Sequence, residues 1–248
     1  MRRVDERVPK RRPGTGTAGS TVRSALLAVV WLLSAPAPVW AAPVDDGVAA
    51  YERGDYGEAL RLLGPEARDD DPKAQFYIGV MYLDGKAVAP DLRAAVDWFE
   101  KAAEQGYAPA QYNLGVSYYE DRGALQSFAE AAEWFRHAAA QGYGPAAYNL
   151  AAMYEEGLGL DRDPSKALHW YDRAAKAGLA EAMHELAAIS FSGRLGPADP
   201  VRAYMWLLLA VRHGDEDAVP DRLDVEGALS PEQVRKAEEL AASWKNPS

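Results

Sequence analysis

Apolar positions along the middle of the chain follow two superimposed periods. Within short segments they lie three and four residues apart, which is the spacing of one face of an α-helix. The segments themselves recur every 36 residues in registered columns, which are Trp98, Trp134, Trp170 and Trp206; Ala74, Ala110, Ala146 and Ala182; and Gly106, Gly142, Gly178 and Gly214. A period of this length predicts a stacked-repeat protein, in which each unit buries its apolar face against its neighbours.

Each 36-residue unit carries the pattern of two helices. In the first helix an apolar residue precedes a small one and an aromatic residue follows, as in Leu114, Gly115 and Tyr118. The small residue predicts that the partner helix crosses closely at that point. The second helix combines paired alanines with Trp134 and Phe135, which predicts a core stripe. The glycine column then lies just after the second helices, where a left-handed residue commonly ends a helix.

These patterns predict an all-α fold, an α/α solenoid in which stacked helix-turn-helix repeats form a right-handed superhelix. The predicted segments are a secretory signal peptide (1–41), a degenerate amino-terminal helical repeat (42–73), four repeats of 36 residues (74–214) and carboxy-terminal capping helices (215–248). Ser230, Pro231 and Gln233 predict the start of the last helix, because they suit its cap and first turn.

The first 41 residues have the pattern of a secretory signal peptide. A basic lead precedes an apolar run (25–33, ALLAVVWLL), and Val39-Trp40-Ala41 then offers small residues for cleavage after Ala41. An uncleaved membrane anchor is the alternative, but the run is shorter than the ~20 residues of a membrane-spanning helix. We therefore expect a periplasmic or secreted protein without stable membrane insertion after cleavage.

Charge and cysteine content narrow the functional classes. The chain has 27 basic and 37 acidic residues, and residues 1–41 contain seven and two of these. The exported chain would therefore have 20 basic and 35 acidic residues and a net charge near −15. Such a charge disfavours nucleic acid and anionic membranes as partners. The chain has no cysteine, so disulfides, thiol nucleophiles and cysteine-bound metals are absent.

The repeat motifs resemble a known family. Leu114-Gly115-x-x-Tyr118 and Ala131-x-x-x-Phe135 match the tetratricopeptide pattern, but the period is 36 residues and the interhelical loops contain glycine. With these two differences the chain resembles the Sel-one-like repeat proteins, which are related to the tetratricopeptide proteins. The resemblance implies a non-catalytic scaffold that binds a protein or peptide partner, with roles in envelope signalling or assembly.

The sequence contains no strong catalytic or cofactor motif. Its four histidines lack metal-binding spacing, and it has neither a Gly-x-Ser-x-Gly elbow nor a phosphate-binding loop. We therefore predict no catalytic, cofactor-binding or metal-binding residue. The alternative is a carbohydrate-active or cell-wall-active protein that uses paired carboxylates, for which Glu155-Glu156 and Asp69-Asp70-Asp71 are the candidates.

The candidate partner-binding residues come from the resemblance to the tetratricopeptide fold, whose first helices line a concave groove. The matching residues here are Phe76, Val80, Tyr112, Val116, Tyr148 and His184. Aromatic residues are frequent interface anchors. Two alternatives stay open: the rings pack between repeats, or the partner contacts the convex face and the interhelical loops, where Lys86, Arg122 and Arg162 lie.

Overall fold

The computed structural model describes residues 43–244, which form twelve α-helices and no strand. The predicted signal peptide and the last four residues lie outside the described residues. The helices are α1 (Pro43–Glu52), α2 (Tyr56–Arg68), α3 (Pro72–Asp84), α4 (Leu92–Glu104), α5 (Ala108–Glu120), α6 (Phe128–Ala140), α7 (Gly144–Glu156), α8 (Pro164–Lys176), α9 (Ala180–Ser192), α10 (Pro200–Arg212), α11 (Ala218–Ala228) and α12 (Pro231–Ser243).

Each helix from α1 to α10 packs against the next helix in the chain. The last helix, α12, packs against α10. This arrangement confirms the predicted α/α solenoid. The first and second helices of the repeats are α3 and α4, α5 and α6, α7 and α8, and α9 and α10. The predicted start of the last helix is also confirmed, because Ser230 and Gln233 form a reciprocal capping box at α12.

Local signals set the ends of the helices in the repeats. Each second helix begins after a side chain that accepts a backbone hydrogen bond, and these caps are Asp91, Ser127, Asp163 and Asp199. Each first helix ends at a left-handed residue, and these are Gly85, Asp121, Gly157 and Gly193. Asp121 replaces glycine in the second repeat with φ at 58°, so this loop keeps the turn despite its different sequence.

The close helix crossing predicted from the small residues is confirmed. A Cβ atom added to Gly115 would lie 2.7 Å from the ring of Phe135, and one added to Gly79 would lie 2.7 Å from the ring of Phe99. These distances are well below the ~3.5–4.0 Å of an ordinary carbon contact. Phe99 and Phe135 are each 1% exposed. The phenylalanine column therefore lies at the centre of the core.

The tryptophan column is less buried than the core stripe predicted. Trp98, Trp134 and Trp170 are half-buried, and only Trp206 of the column is buried. Consecutive residues differ by about 100° around a helix, so the phenylalanine points at the partner helix while the preceding tryptophan lies beside it. Trp134 packs on the core of the preceding repeat. Trp206 is buried in the last repeat, where it packs against Trp244.

The interhelical loops connect consecutive repeats. A Cβ atom on Gly123 would lie 2.3 Å from the carbonyl oxygen of Leu92, and one on Gly159 would lie 2.2 Å from the carbonyl carbon of Phe128. Leu92 and Phe128 begin the second helix of the preceding repeat, so each loop lies directly on that helix. Both glycines have positive φ. Leu195 occupies the matching position in the fourth repeat, where the loop has a different conformation.

Buried glutamines make a second connection between repeats. Gln111 of α5 donates from Nε2 to the carbonyl oxygen of Ala103 in α4 at 3.1 Å and accepts from Nε2 of Gln141 at 2.8 Å. Gln75 and Gln105 form the same pair one repeat earlier, at 2.9 Å. Each buried amide is thus satisfied by the adjacent helices, as buried polar groups generally are.

Candidate protein-interaction surface

The six predicted partner-binding residues lie on one side of the first helices. We call the side of α3, α5, α7 and α9 that carries them the first-helix face. All six are partly buried: Phe76, Val80, Tyr112, Val116, Tyr148 and His184. Since the first helices recur every 36 residues, the same helical positions return along the array. The periodicity thus forms a continuous row of part-exposed side chains.

The aromatic rings of this row pack on one side and remain open on the other. The ring of Tyr112 lies 5.8 Å from the Phe135 ring in α6 and 5.3 Å from the Tyr143 ring before α7. Tyr148 meets Tyr171 at 5.5 Å. Burial raises the pKa of Tyr112 and of Tyr148, so both hydroxyls stay neutral at physiological pH. Each ring is therefore held by the core while part of its surface is available for contact.

A cleft of about 280 Å³ separates α5 from α7 on the first-helix face. Tyr112 and Val116 line it together with Tyr119, Glu120, Phe135, Asn149, Ala152 and Met153. Two of the predicted residues, Tyr112 and Val116, thus line the same cleft. Its walls are apolar, and Asn149 and Glu120 contribute its polar groups. Tyr119 was not among the predicted residues, although its position one helical turn after Val116 places it on the same helix face.

A second cleft, of about 320 Å³, lies between α9 and α11. It is lined by His184, Ala187, Ala188, Phe191, Leu207, Asp221, Asp224 and Val225. His184, Ala188 and Phe191 are two repeats after Tyr112, Val116 and Tyr119, so the two clefts use equivalent positions of the first helix. In this one α11 forms the opposite wall, although its sequence lies outside the 36-residue pattern.

His184 differs from the aromatic residues of its column because both ring nitrogens are engaged. Nδ1 lies 2.9 Å from Oδ2 of Asp215, and Nε2 lies 2.9 Å from Oδ2 of Asp221. Partial burial disfavours the charged imidazole, but the two aspartates outweigh that effect and raise the pKa of His184. His184 therefore links α9 to the start of α11 and is not a free apolar anchor.

A polar cluster lies beside Tyr148. Nε of Arg194 donates to Oε1 of Glu155 at 2.7 Å, and its NH2 group also pairs with Glu185. Tyr171 donates its hydroxyl to Oε2 of Glu155 at 3.1 Å. Burial, followed by the charge of Glu155, raises the pKa of Tyr171 above its ordinary value. This cluster was not predicted, because Glu155 lies 39 residues from Arg194 and 16 residues from Tyr171, and neither separation matches the 36-residue period.

Three of the five carboxylates named for the alternative activity have structural partners. Glu155 pairs with Arg194, and Asp71 caps α3 by accepting from the backbone of Ala74 at 2.8 Å. Asp70 accepts from Nε2 of Gln75 at 3.2 Å. Within residues 43–244 no three histidine or acidic side chains group as a metal site. Glu155, Asp70 and Asp71 thus serve as an ion-pair partner, a hydrogen-bond acceptor and a helix cap, respectively.

The basic loop residues of the other alternative are also engaged. Arg122 pairs with Glu120 at 2.6 Å, and Nε of Arg162 donates to the carbonyl oxygen of Glu155 at 2.9 Å. The Lys86 ammonium lies 5.1 Å from the centre of the Tyr56 ring. The loops therefore stay an alternative interaction surface to the first-helix face.

The family model described as the Sel1 repeat matches residues 72–107, 108–143, 144–179 and 180–215. Together these matches cover more than half of the chain. The chain belongs to the Sel1 repeat family. Sel1 repeat proteins are generally interaction modules. Within residues 43–244, this Sel1 repeat protein has no helix long and apolar enough to cross a membrane.

Solved structures of Sel1 repeat proteins match most of the chain. A Sel1 repeat protein from Oxalobacter formigenes matches with a TM-score of 0.71 and 29% identity, over 83% of this chain and 84% of that chain. A protective antigen of uropathogenic Escherichia coli with the same fold matches with a TM-score of 0.70 and 30% identity, over 79% of this chain and 44% of that one. No curated protein matches the chain.

Proposed function

We propose that this Sel1 repeat protein is an exported, non-catalytic scaffold that binds a protein or peptide partner through the first-helix face. The observation that carries the proposal is the row of aromatic residues whose rings are held against the core on one side and open on the other. Such preordered rings contribute contact area at a low entropic cost. The two clefts give a partner concave places to insert its own side chains.

The sequence of residues 1–41 supports a location in the periplasm or outside the cell. A scaffold in that location would act in envelope signalling or assembly. Mass spectrometry of the protein from an envelope fraction checks the location: the mature chain is expected to begin at Ala42. An intact chain in the membrane pellet would contradict both cleavage and release.

Affinity capture from an envelope extract tests the binding surface. Tyr112→Ala combined with Tyr148→Ala is expected to reduce the captured partner strongly, because anchor aromatics can each contribute on the order of 2 kcal/mol or more. Since both rings also pack against the core, Val116→Glu provides an independent test. It places a charge in the α5–α7 cleft and leaves the rings in place.

Leu125→Glu is the matched control, because Leu125 is 88% exposed, lies in the loop between α5 and α6 and lines neither cleft. Circular dichroism and thermal unfolding accompany each capture. Loss of the partner with Val116→Glu, and retention with Leu125→Glu at equal stability, would support the surface. Retention of the partner by both the tyrosine variant and Val116→Glu would exclude it.

A further inference from the structure

We propose that the cleft between α9 and α11 binds a positively charged peptide segment of the partner, in which an apolar anchor residue is flanked by lysine or arginine. The proposal rests on the proposed function of the first-helix face and specifies the chemistry of what one end of that face accepts. Three features carry it: an apolar floor, an acidic rim and the contrast with the α5–α7 cleft.

The floor of the cleft is made of buried apolar side chains. Ala187 and Leu207 are each 2% exposed, and Val225 is 7% exposed. Phe191 forms a wall and is 51% exposed. Ala188 stands where Val116 stands in the α5–α7 cleft, so less of the space is filled from α9. An apolar side chain inserted here would cover Phe191 and remove its surface from water.

The rim of the cleft carries negative charge. Asp221 and Asp224 lie on α11 and line its opening, and both are exposed. Asp221 shares His184 with Asp215, whereas Asp224 has no ion pair within residues 43–244. Arg222 is the basic residue between the two aspartates in sequence, and it pairs with Glu226 at 3.5 Å. Two aspartates bridged by one histidine, plus Asp224, leave the rim negative whether or not the imidazole is protonated.

Acidic residues continue beyond the rim. Asp215 lines an adjacent hollow between the start of α9 and the connection from α10 to α11, together with Glu181, Glu216 and Asp217. The negative surface thus extends past the cleft, and a net charge near −15 on the exported chain has the same sign. A field of one sign around an apolar recess attracts a basic segment and repels an acidic one.

The α5–α7 cleft provides the internal comparison. It is similar in volume and is built from equivalent positions of the first helix, but its polar lining consists of Asn149 and one carboxylate, Glu120. Glu120 is moreover paired with Arg122. Of the two clefts, the one that α11 completes therefore has the more acidic lining.

Three synthetic peptides with blocked ends test this inference on the mature protein: Lys-Lys-Leu-Lys-Lys, Glu-Glu-Leu-Glu-Glu and Lys-Lys-Ser-Lys-Lys. Nuclear magnetic resonance titration follows the methyl signals of Ala187, Ala188 and Val225 in the cleft. We expect the first peptide to shift these signals and to bind more tightly than the other two, with an affinity that falls as salt is added. Equal binding of the first two peptides would overturn the role of charge.

Two variants locate the binding. Asp224→Asn is expected to weaken the basic peptide about two- to fivefold, which corresponds to the upper range of an exposed ion pair. Phe191→Ser is expected to weaken it by removing the apolar wall. Asp97→Asn on α4 is the matched control, since Asp97 is an exposed acidic residue away from the cleft. Equal affinities for Asp224→Asn and Asp97→Asn, with Phe191→Ser unchanged, would overturn the proposal.

Failure of the proposal for the α9–α11 cleft can be distinguished from failure of the proposed function. If the peptide binds elsewhere or not at all while Val116→Glu still abolishes partner capture, the proposal for the first-helix face is retained and the proposed preference for a basic segment is excluded. If the tyrosine variant and Val116→Glu both leave capture unchanged while the peptide shifts the α9–α11 signals, the proposal for the α9–α11 cleft is retained and the proposal for the first-helix face is excluded.

Discussion

The contact between Gly115 and Phe135 allows a quantitative test of the helix crossing. Gly115→Ala would place a Cβ atom 2.7 Å from Cδ1 and Cε1 of the Phe135 ring. The ring is 1% exposed and has no room to turn into solvent. Inserting a methyl group into such a core typically costs about 1–3 kcal/mol of unfolding free energy. Phe135→Leu alone would cost less than the ~3–5 kcal/mol of a truncation to alanine, because most of the side chain remains.

The chain contains its own precedent for the double substitution. In the fourth repeat, Ala187 and Leu207 occupy the positions of Gly115 and Phe135, and both are buried. We therefore expect Gly115→Ala combined with Phe135→Leu to be at least about 1 kcal/mol more stable than the sum of the single effects predicts, within the range of measured couplings. The third repeat combines Ala151 with Tyr171, but there Glu155 holds the ring through its hydroxyl.

Urea unfolding followed by circular dichroism measures this coupling in the four proteins of a double-mutant cycle. Equal slopes of the unfolding free energy against urea are required, because repeat arrays can lose cooperativity when a central unit is weakened. Additivity of the two single effects within about 0.5 kcal/mol would refute the reasoning. It would mean that Gly115 is required for a reason other than its close contact with the Phe135 ring.

Two further predictions concern polar contacts. Gln111→Ala should lower the free energy of unfolding by about 1–3 kcal/mol, because it leaves Gln141 and the backbone carbonyl of Ala103 without their buried partner. The double variant Gln111→Ala/Gln141→Ala should lose less than the sum of the two single variants, as measured by urea unfolding. An additive result would show that the two amides do not act as a pair. The raised pKa of His184 means that its bridge stabilises the fold fully below its ordinary pKa of about 6.5 and loses this contribution as the pH rises through the folded value. The difference in thermal midpoint between the natural chain and His184→Gln should therefore shrink from about pH 6 to about pH 8.5. A difference independent of pH would exclude the bridge, and Asp97→Asn should leave the profile unchanged.

Much of the fold could be predicted because its signals are local. The spacing of alanines around Phe135, the small residue at Gly115 and the glycines after the second helices each act within a few residues of sequence. The sequence could not show that the tryptophan column is less buried than the phenylalanine next to it. Residues 134 and 135 both fit a helical stripe, and only the direction of the partner helix decides which of the two side chains is in the core. The signal peptide stays a prediction.

The candidate site was predictable only where it repeats. Tyr112 and Val116 lie in a cleft because their positions recur in every first helix. The partners of His184 could not be found in this way, since Asp215 ends the last repeat and Asp221 belongs to α11, where the period has stopped. A contact that only a terminal helix makes does not recur at the 36-residue period, so the sequence pattern does not show it. The acidic wall of the α9–α11 cleft is of this kind.

The loops that lie on the preceding repeat change where a unit of this protein begins and ends. The backbone around Gly159 touches the start of α6, so the surface that α6 offers is shaped by a residue 31 positions further along the chain. A duplication or a graft cut at the 36-residue sequence boundary would separate the start of each second helix from the loop that covers it. A segment that keeps this loop contact runs from one second helix through the next interhelical loop. Its junctions, however, fall between the two helices of a repeat and divide crossings such as that of Gly115 with Phe135, so every junction within the array breaks one kind of contact.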